Sequence, residues 1–432
     1  VVIVNLYPFD EVTARSTCTM ADALENIDIG GVSLIRAAAK NYKDVIVVTT
    51  PKDYPLVLGE MEKNSGEVSE ETRLRLAVQA YSMISEYDRR ISNYLYQHTL
   101  DHKDAEKLFT PVLHLRYRKV QDLRYGENPH QDGALYIDES VAEPSITRSK
   151  LHSGKELSFN NIYDLHSGLE LAKEFEEAVC VIVKHGNPCG VGRHKSDILK
   201  AYLRALESDP VSAFGGVVIV NREVSAPLSE EMNKIFLEVI LAPAYEKEAL
   251  SILEKKKNLR ILTLPFQPLS AMENSGIEQL DLKKITGGIL AHRRDLETIN
   301  AKQWKVVCGE KPSVNVLKGL EFAWKVVKHV KSNAIVIADR SRVLGVGAGQ
   351  MNRVESVRLA LSRAKSRIMD GEGVVLASDA FFPFRDSIDL LEGSGIMAVI
   401  QPGGSVRDQE VIEAAKEKNI TMIFTNERHF KH

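Results

Sequence analysis

Ala178-Val179-Cys180-Val181-Ile182-Val183-Lys184-His185-Gly186-Asn187-Pro188-Cys189-Gly190 is the stretch on which the reading of this chain turns. The apolar run Ala178–Val183 reads as a strand buried on both faces, and the Gly/Asn/Pro cluster after it reads as the loop that ends the strand. Strands of this kind belong to open α/β sheets, where ligands bind at the strand ends. This strand end carries Lys184 and His185 side by side. An ammonium can stabilise a developing anion, and an imidazole can accept and return a proton. Taken alone, the pair fits a solvated lysine beside a hydrogen-bonded loop histidine equally well.

Similar apolar runs recur downstream at Val217–Val220, Ile335–Ala338, Val374–Ala377, Met397–Ile400 and Met422–Phe424, with helical patterns between many of them. That alternation predicts an α/β region. Two strand-rich blocks, about 155–262 and 332–424, have the look of related halves. Upstream, Val1–Leu6 and Val45–Val48 read as strands, and Asp28-Ile29-Gly30-Gly31 opens a helix over Val32–Lys40. Leu76, Ala80, Ile84, Tyr87, Ile91 and Leu95 recur at helical spacing, which predicts a long amphipathic helix from Glu70 to about Tyr96. A polar stretch around Asp101–Lys107 follows, and the domain boundary is placed near Arg116, giving domains 1–115 and 116–432. The chain starts directly on a strand pattern, so further chain upstream is expected.

With 432 residues the chain can bury more than one core. Its net charge of -3, at 27% charged residues, supplies no basic field for nucleic acid. Cys18, Cys180, Cys189 and Cys308 are few and far apart, which argues against a disulfide scaffold and for a reducing, cytoplasmic setting. No apolar run approaches the roughly 18 to 20 residues that span a bilayer, so neither a membrane partner nor export is expected.

Three other stretches carry recognition chemistry. Arg124-Tyr125-Gly126-Glu127-Asn128-Pro129-His130-Gln131 combines a forked cation that can clasp a phosphate with an aromatic face that can stack on a heterocycle. An ordinary loop with one salt bridge is the plain alternative. The run Gly345-Val346-Gly347-Ala348-Gly349 could bring backbone amides to an anion or a flat ring. Its spacing is neither a dinucleotide fingerprint nor a P-loop, and tight hairpin packing explains the glycines as well. Ser378-Asp379-Ala380-Phe381-Phe382-Pro383-Phe384-Arg385-Asp386 suits a wall for a conjugated ring with a polar rim. Pro188-Cys189 has half the look of a zinc deaminase site, but Gly192 stands where the second cysteine would be, so no metal is expected. His98, His114 and His329 have no ligand spacing and are read as structural or exposed.

In order along the chain, Arg124–Gln131, Lys184–Gly190, Ser212-Ala213-Phe214-Gly215-Gly216, Lys331-Ser332-Asn333-Ala334, the glycine run through Arg353, Ser378–Arg385 and Arg428-His429-Phe430-Lys431-His432 closely resemble one family. It is the bifunctional purine biosynthesis family, which joins aminoimidazole carboxamide ribonucleotide (AICAR) formyltransferase to inosinate (IMP) cyclohydrolase. The resemblance implies an α/β fold with a methylglyoxal-synthase-like first domain, N-terminally incomplete here, followed by a transformylase region of two cytidine-deaminase-like α/β/α subdomains. It implies transfer of a formyl group from 10-formyltetrahydrofolate to AICAR without a metal, then closure of the product, FAICAR, to IMP. Lys184, His185, Asn333 and His432 are then the catalytic candidates of the transformylase. Arg124, Tyr125, Asn161, Phe214, Gly215, Arg353, Phe381, Pro383 and Arg428 are its candidates for binding substrate and folate, with Asn161 and Asn333 positioning carboxamide and formyl groups. A homodimer with the site between subunits is implied.

Asn5-Leu6-Tyr7-Pro8-Phe9, Ile27–Gly31 and Arg36–Asn41 resemble the cyclohydrolase, with Tyr7, Asp28 and Lys40 as its catalytic groups. The family's earlier segment, with its phosphate-binding loop, is not in this sequence. A transformylase whose first domain serves dimerisation, and a silent sensor of purine nucleotide or folate, are the competing expectations.

Overall fold

The computed structural model describes residues 1–99, 109, 111–272, 280–297, 299–371 and 373–432. The polar stretch Asp101–Lys107 lies outside the described residues. The chain divides into two compact units, Val1–Leu115 and Arg116–His432.

In the first unit, β1 (Val2–Ile3) pairs in parallel with β2 (Val47–Val48). Helices α1 (Phe9–Thr13), α2 (Met20–Glu25), α3 (Gly30–Lys40), α4 (Tyr54–Lys63) and α5 (Glu70–Thr99) complete it. Thr19 and Asp22 cap α2 reciprocally, which satisfies amides that a helix start leaves open. The stripe read from sequence on α5 is the packed one: Leu76, Ala80 and Ile84 are buried against Ile35, Ala38 and Ala39 of α3 and both strands.

The second unit is built on two six-stranded mixed sheets and two hairpins. A hairpin of β3 (Arg118–Leu123) and β4 (Gly133–Ile137) leads in. The first sheet uses β5 (Lys150–Ser153), β6 (Ala178–Lys184), β7 (Asn187–His194), β8 (Gly216–Val220), β9 (Leu237–Ala242) and β10 (Arg260–Thr263) in the order β5-β10-β9-β8-β6-β7. After a second hairpin, β11 (Leu280–Ile285) and β12 (Gly288–Arg293), come β13 (Lys305–Cys308), β14 (Ile335–Ala338), β15 (Val343–Gly347), β16 (Val375–Ser378), β17 (Ala398–Gln401) and β18 (Thr421–Phe424). Their order, β13-β18-β17-β16-β14-β15, repeats that of the first sheet element for element. The pairing directions repeat as well, with parallel pairs only at β10-β9, β9-β8 and at β18-β17, β17-β16. The two blocks are structural duplicates in strand order and direction.

Helices fill the layers: α6 (Phe159–Ala172), α7 (Ile198–Ser208), α8 (Pro210–Ala213), α9 (Ala226–Asn233), α10 (Lys247–Leu253), α11 (Val314–Val327), α12 (Arg353–Ala364), α13 (Asp386–Asp389) and α14 (Asp408–Glu417). Val179, Val181 and Val183 turn one way from β6 into a core shared by α6, α11 and both sheets. Ala178, Cys180 and Ile182 turn the other way onto α7 and α9. Alternation across the strand explains why the run is apolar at every position. The stretch after it differs from the sequence reading. Only His185 and Gly186 form the turn, and residues 187–194 return as β7. A proline fits there because β7 is an edge strand, where a missing ladder donor costs little.

The middle layer is tied by buried charge. Lys173 Nζ lies 2.7 Å from Glu143 and 2.9 Å from Glu170, and Arg294 reaches the same two carboxylates. Lys328 and His329 of the second block meet Glu174 of the first at 3.1 and 3.0 Å. His329 is thus structural, as its sequence context suggested.

Candidate active site

The β6–β7 turn is a two-residue hairpin with Lys184 paired to Asn187. His185 has φ 54 and Gly186 φ 71, so both stand in the left-handed region that such turns require. Glycine takes that conformation freely; for histidine it costs roughly 1–2 kcal/mol. Asp164, on α6, offsets the cost. Its Oδ1 accepts the Gly186 amide hydrogen at 2.6 Å, and the His185 amide faces the same carboxylate. Burial pushes the Asp164 carboxyl above its ordinary value, against the pull of those amides and of His185. The His185 ring itself is exposed.

Lys184 is half-buried, and its Nζ donates to the Phe214 carbonyl at 2.8 Å, which fixes the ammonium at the strand mouth. Gly215 follows, its amide donating to Phe236 O at 2.8 Å. The exposed Phe214 ring lies 5.5 Å from Phe236. Cys189 serves packing: burial pushes its thiol up to about 12, and Sγ donates to Ile182 O at 3.4 Å.

The second block meets this hairpin directly. The Lys331 amide donates to Asn187 Oδ1 at 3.0 Å, and Lys331 Nζ sits 5.4 Å over the Tyr163 ring, beside Gly186. Next along the chain, Ser332 donates its amide to Lys431 O at 2.9 Å, which sews the C-terminal segment to the same place. His432 is exposed there, 5.6 Å from the Phe430 ring, and Arg428 stacks on that ring from 4.4 Å. Asn333 Oδ1 accepts from Arg353 Nη2 at 2.8 Å, while its Nδ2 donates to Gln350 O at 2.8 Å. Arg353 is buried and its other arm meets Asp379 and, at 2.8 Å, Ser378. The structure therefore puts Arg353 behind Asn333, orienting it, rather than on an open wall.

Asn161 is also buried. Its side-chain oxygen accepts from the Ser158 amide in the α6 capping box, and Nδ2 donates to Glu238 at 2.8 Å. The 124–131 loop approaches the same helix start through Asn160, which donates to Glu127 O at 3.2 Å. Within that loop the exposed Arg124 stacks on Tyr125 at 4.8 Å and donates to its hydroxyl at 3.1 Å.

Two aromatic and glycine readings change. Phe381 and Phe384 are exposed and Pro383 half-buried, but Phe382 is core. Asp379 is wholly buried against Arg353, and Arg385 is held by Asp389 and Glu417, so neither forms the polar rim expected of them. Gly345 and Gly347 lie in β15 with their Cα atoms against the α12 backbone, where an added Cβ would meet Ala360 O or Ser356 O. Close packing accounts for those two glycines, and no amide cradle is needed.

In the first unit, Asp28 is half-buried: Oδ1 accepts the Gly31 amide at 2.6 Å, and its own amide donates to Tyr87 at 2.8 Å. Lys40, exposed, closes the far end of α3, roughly 15 Å away along the axis at about 1.5 Å per residue. Tyr7 is exposed. Among the described residues no hydrogen bond, ion pair or ring contact joins these three. Asp164, Asn187 and Glu238 were missed in the sequence, since each acts on a partner far along the chain with no spacing to announce it.

The family model described as the AICARFT/IMPCHase bienzyme matches residues 38–363. The bifunctional purine biosynthesis protein PurH of Magnetococcus marinus is 47% identical over 439 aligned positions, covering 100% of this chain and 81% of that protein. This chain belongs to the AICARFT/IMPCHase bienzyme family. The bienzyme family couples AICAR formyltransferase and IMP cyclohydrolase activities in purine biosynthesis.

Proposed function

We propose that the junction between the β6–β7 hairpin and Lys331–Asn333 is where the second unit transfers a formyl group from 10-formyltetrahydrofolate to AICAR. The observation that carries this is the direct join of the two blocks there, with an exposed imidazole, a fixed ammonium and an oriented amide at one place. The acceptor amine of AICAR is conjugated with its ring and carboxamide and is a weak nucleophile. His185 takes its proton as it attacks. The formyl carbon then becomes tetrahedral and its oxygen anionic. The Lys184 ammonium, held by Phe214 O, stabilises that charge and assists protonation of the leaving folate nitrogen. Asn333, oriented by Arg353, positions the formyl and carboxamide groups, and Asn161, buried in the α6 capping box, steadies that helix start. Arg124 and Tyr125 hold the nucleotide, and Phe214, Gly215, Phe381, Pro383 and Arg428 border the pocket, with His432 at its rim.

Ring closure of FAICAR belongs to the first unit in this reading. The carboxamide nitrogen attacks the formyl carbon within one molecule and water leaves, so positioning supplies much of the acceleration. Lys40 stabilises charge, and Asp28 and Tyr7 handle protons. The first unit is read as methylglyoxal-synthase-like and the second as two deaminase-like subdomains, a reading that the repeated strand order supports. The working form is a homodimer in the cytoplasm.

The test is to incubate the chain with AICAR and 10-formyltetrahydrofolate, follow tetrahydrofolate release and separate the purine products. Release of tetrahydrofolate with IMP above its spontaneous rate is expected. Accumulated FAICAR would leave the transformylase alone, and no release at all would overturn the assignment.

A further inference from the structure

The turn that carries His185 is built against the preference of its residue. Lys184 pairs with Asn187, so His185 and Gly186 are the whole loop, and both have positive φ. Loops of this kind favour Asn, Asp or Gly because a Cβ in the left-handed region meets the following carbonyl. Nothing in the flanking strands asks for a histidine there. Asp164 Oδ1 accepts the Gly186 amide at 2.6 Å across 22 residues of sequence, and the His185 amide faces the same carboxylate.

Asp164 is itself firmly held. It lies one helical turn past Asn161, whose capping box with Ser158 fixes the start of α6. The other titratable groups around it are His185 and Glu238, the latter anchored by Asn161 at 2.8 Å. Gly186 is pinned from its other side, since a Cβ there would fall 2.6 Å from Tyr163 Cε1, one residue from Asp164. One helix therefore presents Tyr163 and Asp164 to the turn.

We propose that Asp164 is a positioning residue of the formyl transfer: by accepting the Gly186 amide it holds the turn, and His185 with it, in the left-handed conformation from which the imidazole meets the acceptor amine. This rests on the reading of His185 as the base. Asp164 itself transfers no proton in this scheme; its carboxylate is occupied by the turn.

A kinetic double-mutant cycle on the full chain tests it, using Asp164→Ala, His185→Ala and the pair, with kcat and the AICAR KM read from tetrahydrofolate release and folding checked by thermal melting. Asp164→Ala is expected to lower kcat tenfold or more, to leave the AICAR KM within about twofold, and to add less than twofold on the His185→Ala background, because residues acting as a unit are not additive. A normal kcat for Asp164→Ala beside a crippled His185→Ala would overturn the proposal and leave the assignment of the base intact. An equal loss on both backgrounds would also overturn it, since Asp164 would then act independently of His185. Near-normal turnover of His185→Ala would remove the base itself, and the proposal with it. Should Asp164→Ala fail to fold, Asp164→Asn carries the test: it keeps an acceptor oxygen without the charge. A several-fold loss of kcat that vanishes on the His185→Ala background is expected of it, and a loss that persists there, or none at all, would overturn the proposal.

Discussion

Asn187 Oδ1 accepts the Lys331 backbone amide at 3.0 Å, so the residue after the His185-Gly186 turn joins the first block to the segment that leads into Asn333. The side chain is half-buried, and the bond crosses 144 residues of sequence. Removing it leaves an amide without its partner at the junction. Asn187→Ala is expected to cost about 1 kcal/mol of stability in the second unit, by denaturant unfolding. It should also lower formyl transfer about tenfold as the two halves of the site drift, whereas Asn187→Asp, which keeps an acceptor, should retain most of the activity.

Lys184 and His185 differ in how they are held. The ammonium is tied to Phe214 O, while the imidazole is exposed and makes no side-chain hydrogen bond among the described residues. Truncating either should leave the hairpin folded and remove its chemistry. Lys184→Ala and His185→Ala are each expected to lower kcat by about two orders of magnitude or more, with smaller changes in AICAR affinity. Steady-state kinetics beside equilibrium binding of AICAR separates the two effects, and near-normal turnover in both variants would sink the mechanism.

Arg353 and Asp379 are both buried and paired. Taking the cation away leaves an uncompensated carboxylate, so Arg353→Ala should destabilise the second unit by about 3–5 kcal/mol. Arg353→Lys keeps the charge but not the fork that holds Asp379, Ser378 and Asn333 together. It should be closer to native in a melt than in turnover. Equal losses in both measurements would mean that Arg353 supports only the fold.

Gly347 and Gly349 separate packing from conformation. Alanine at 347 would drive its Cβ into the Ser356 carbonyl of α12 and should cost about 1–3 kcal/mol, as overpacking does. Gly349 faces open space at φ +66, so alanine there meets only left-handed strain, about 1 kcal/mol. Thermal melts of the two variants should rank in that order.

The strands that sit deepest were legible because burial on both faces leaves only apolar residues to read: Ala178–Lys184, Gly216–Val220 and Ile335–Ala338 all lie where their runs placed them. The edge strand Asn187–His194 was not, although it is longer than these three, since Asn187, Pro188 and Gly190 read as the loop that ends the preceding strand. Lys184 and His185 stood out by chemistry beside a strand end. Asp164 did not, because an aspartate within a helix has no signature until the chain brings Gly186 to it. Arg385 shows the reverse failure. A cation beside aromatics suggested a rim, and Asp389 and Glu417 claim it instead.

His329 gives the second unit a pH dependence whose sign can be worked out. Burial drives its imidazole down from 6.5 to about 4, against the hydrogen bond that Glu174 accepts or shares at 3.0 Å. Burial also opposes the Glu174 carboxylate, but His329 and Lys328 hold it below its ordinary value. Both groups therefore bind fewer protons folded than unfolded. Stability from His329 is fully present above pH 6.5 and is lost as the pH falls toward about 4, with at most about 3 kcal/mol at stake. Glu174 adds a loss of the same sign at lower pH. Denaturant unfolding between pH 7.5 and 4.5 should show stability falling with pH, and His329→Gln, which cannot take up the proton, should flatten the upper part of that fall. A wild-type profile that is level from pH 7 to 5 would mean that the buried imidazole is not what the falling limb reports.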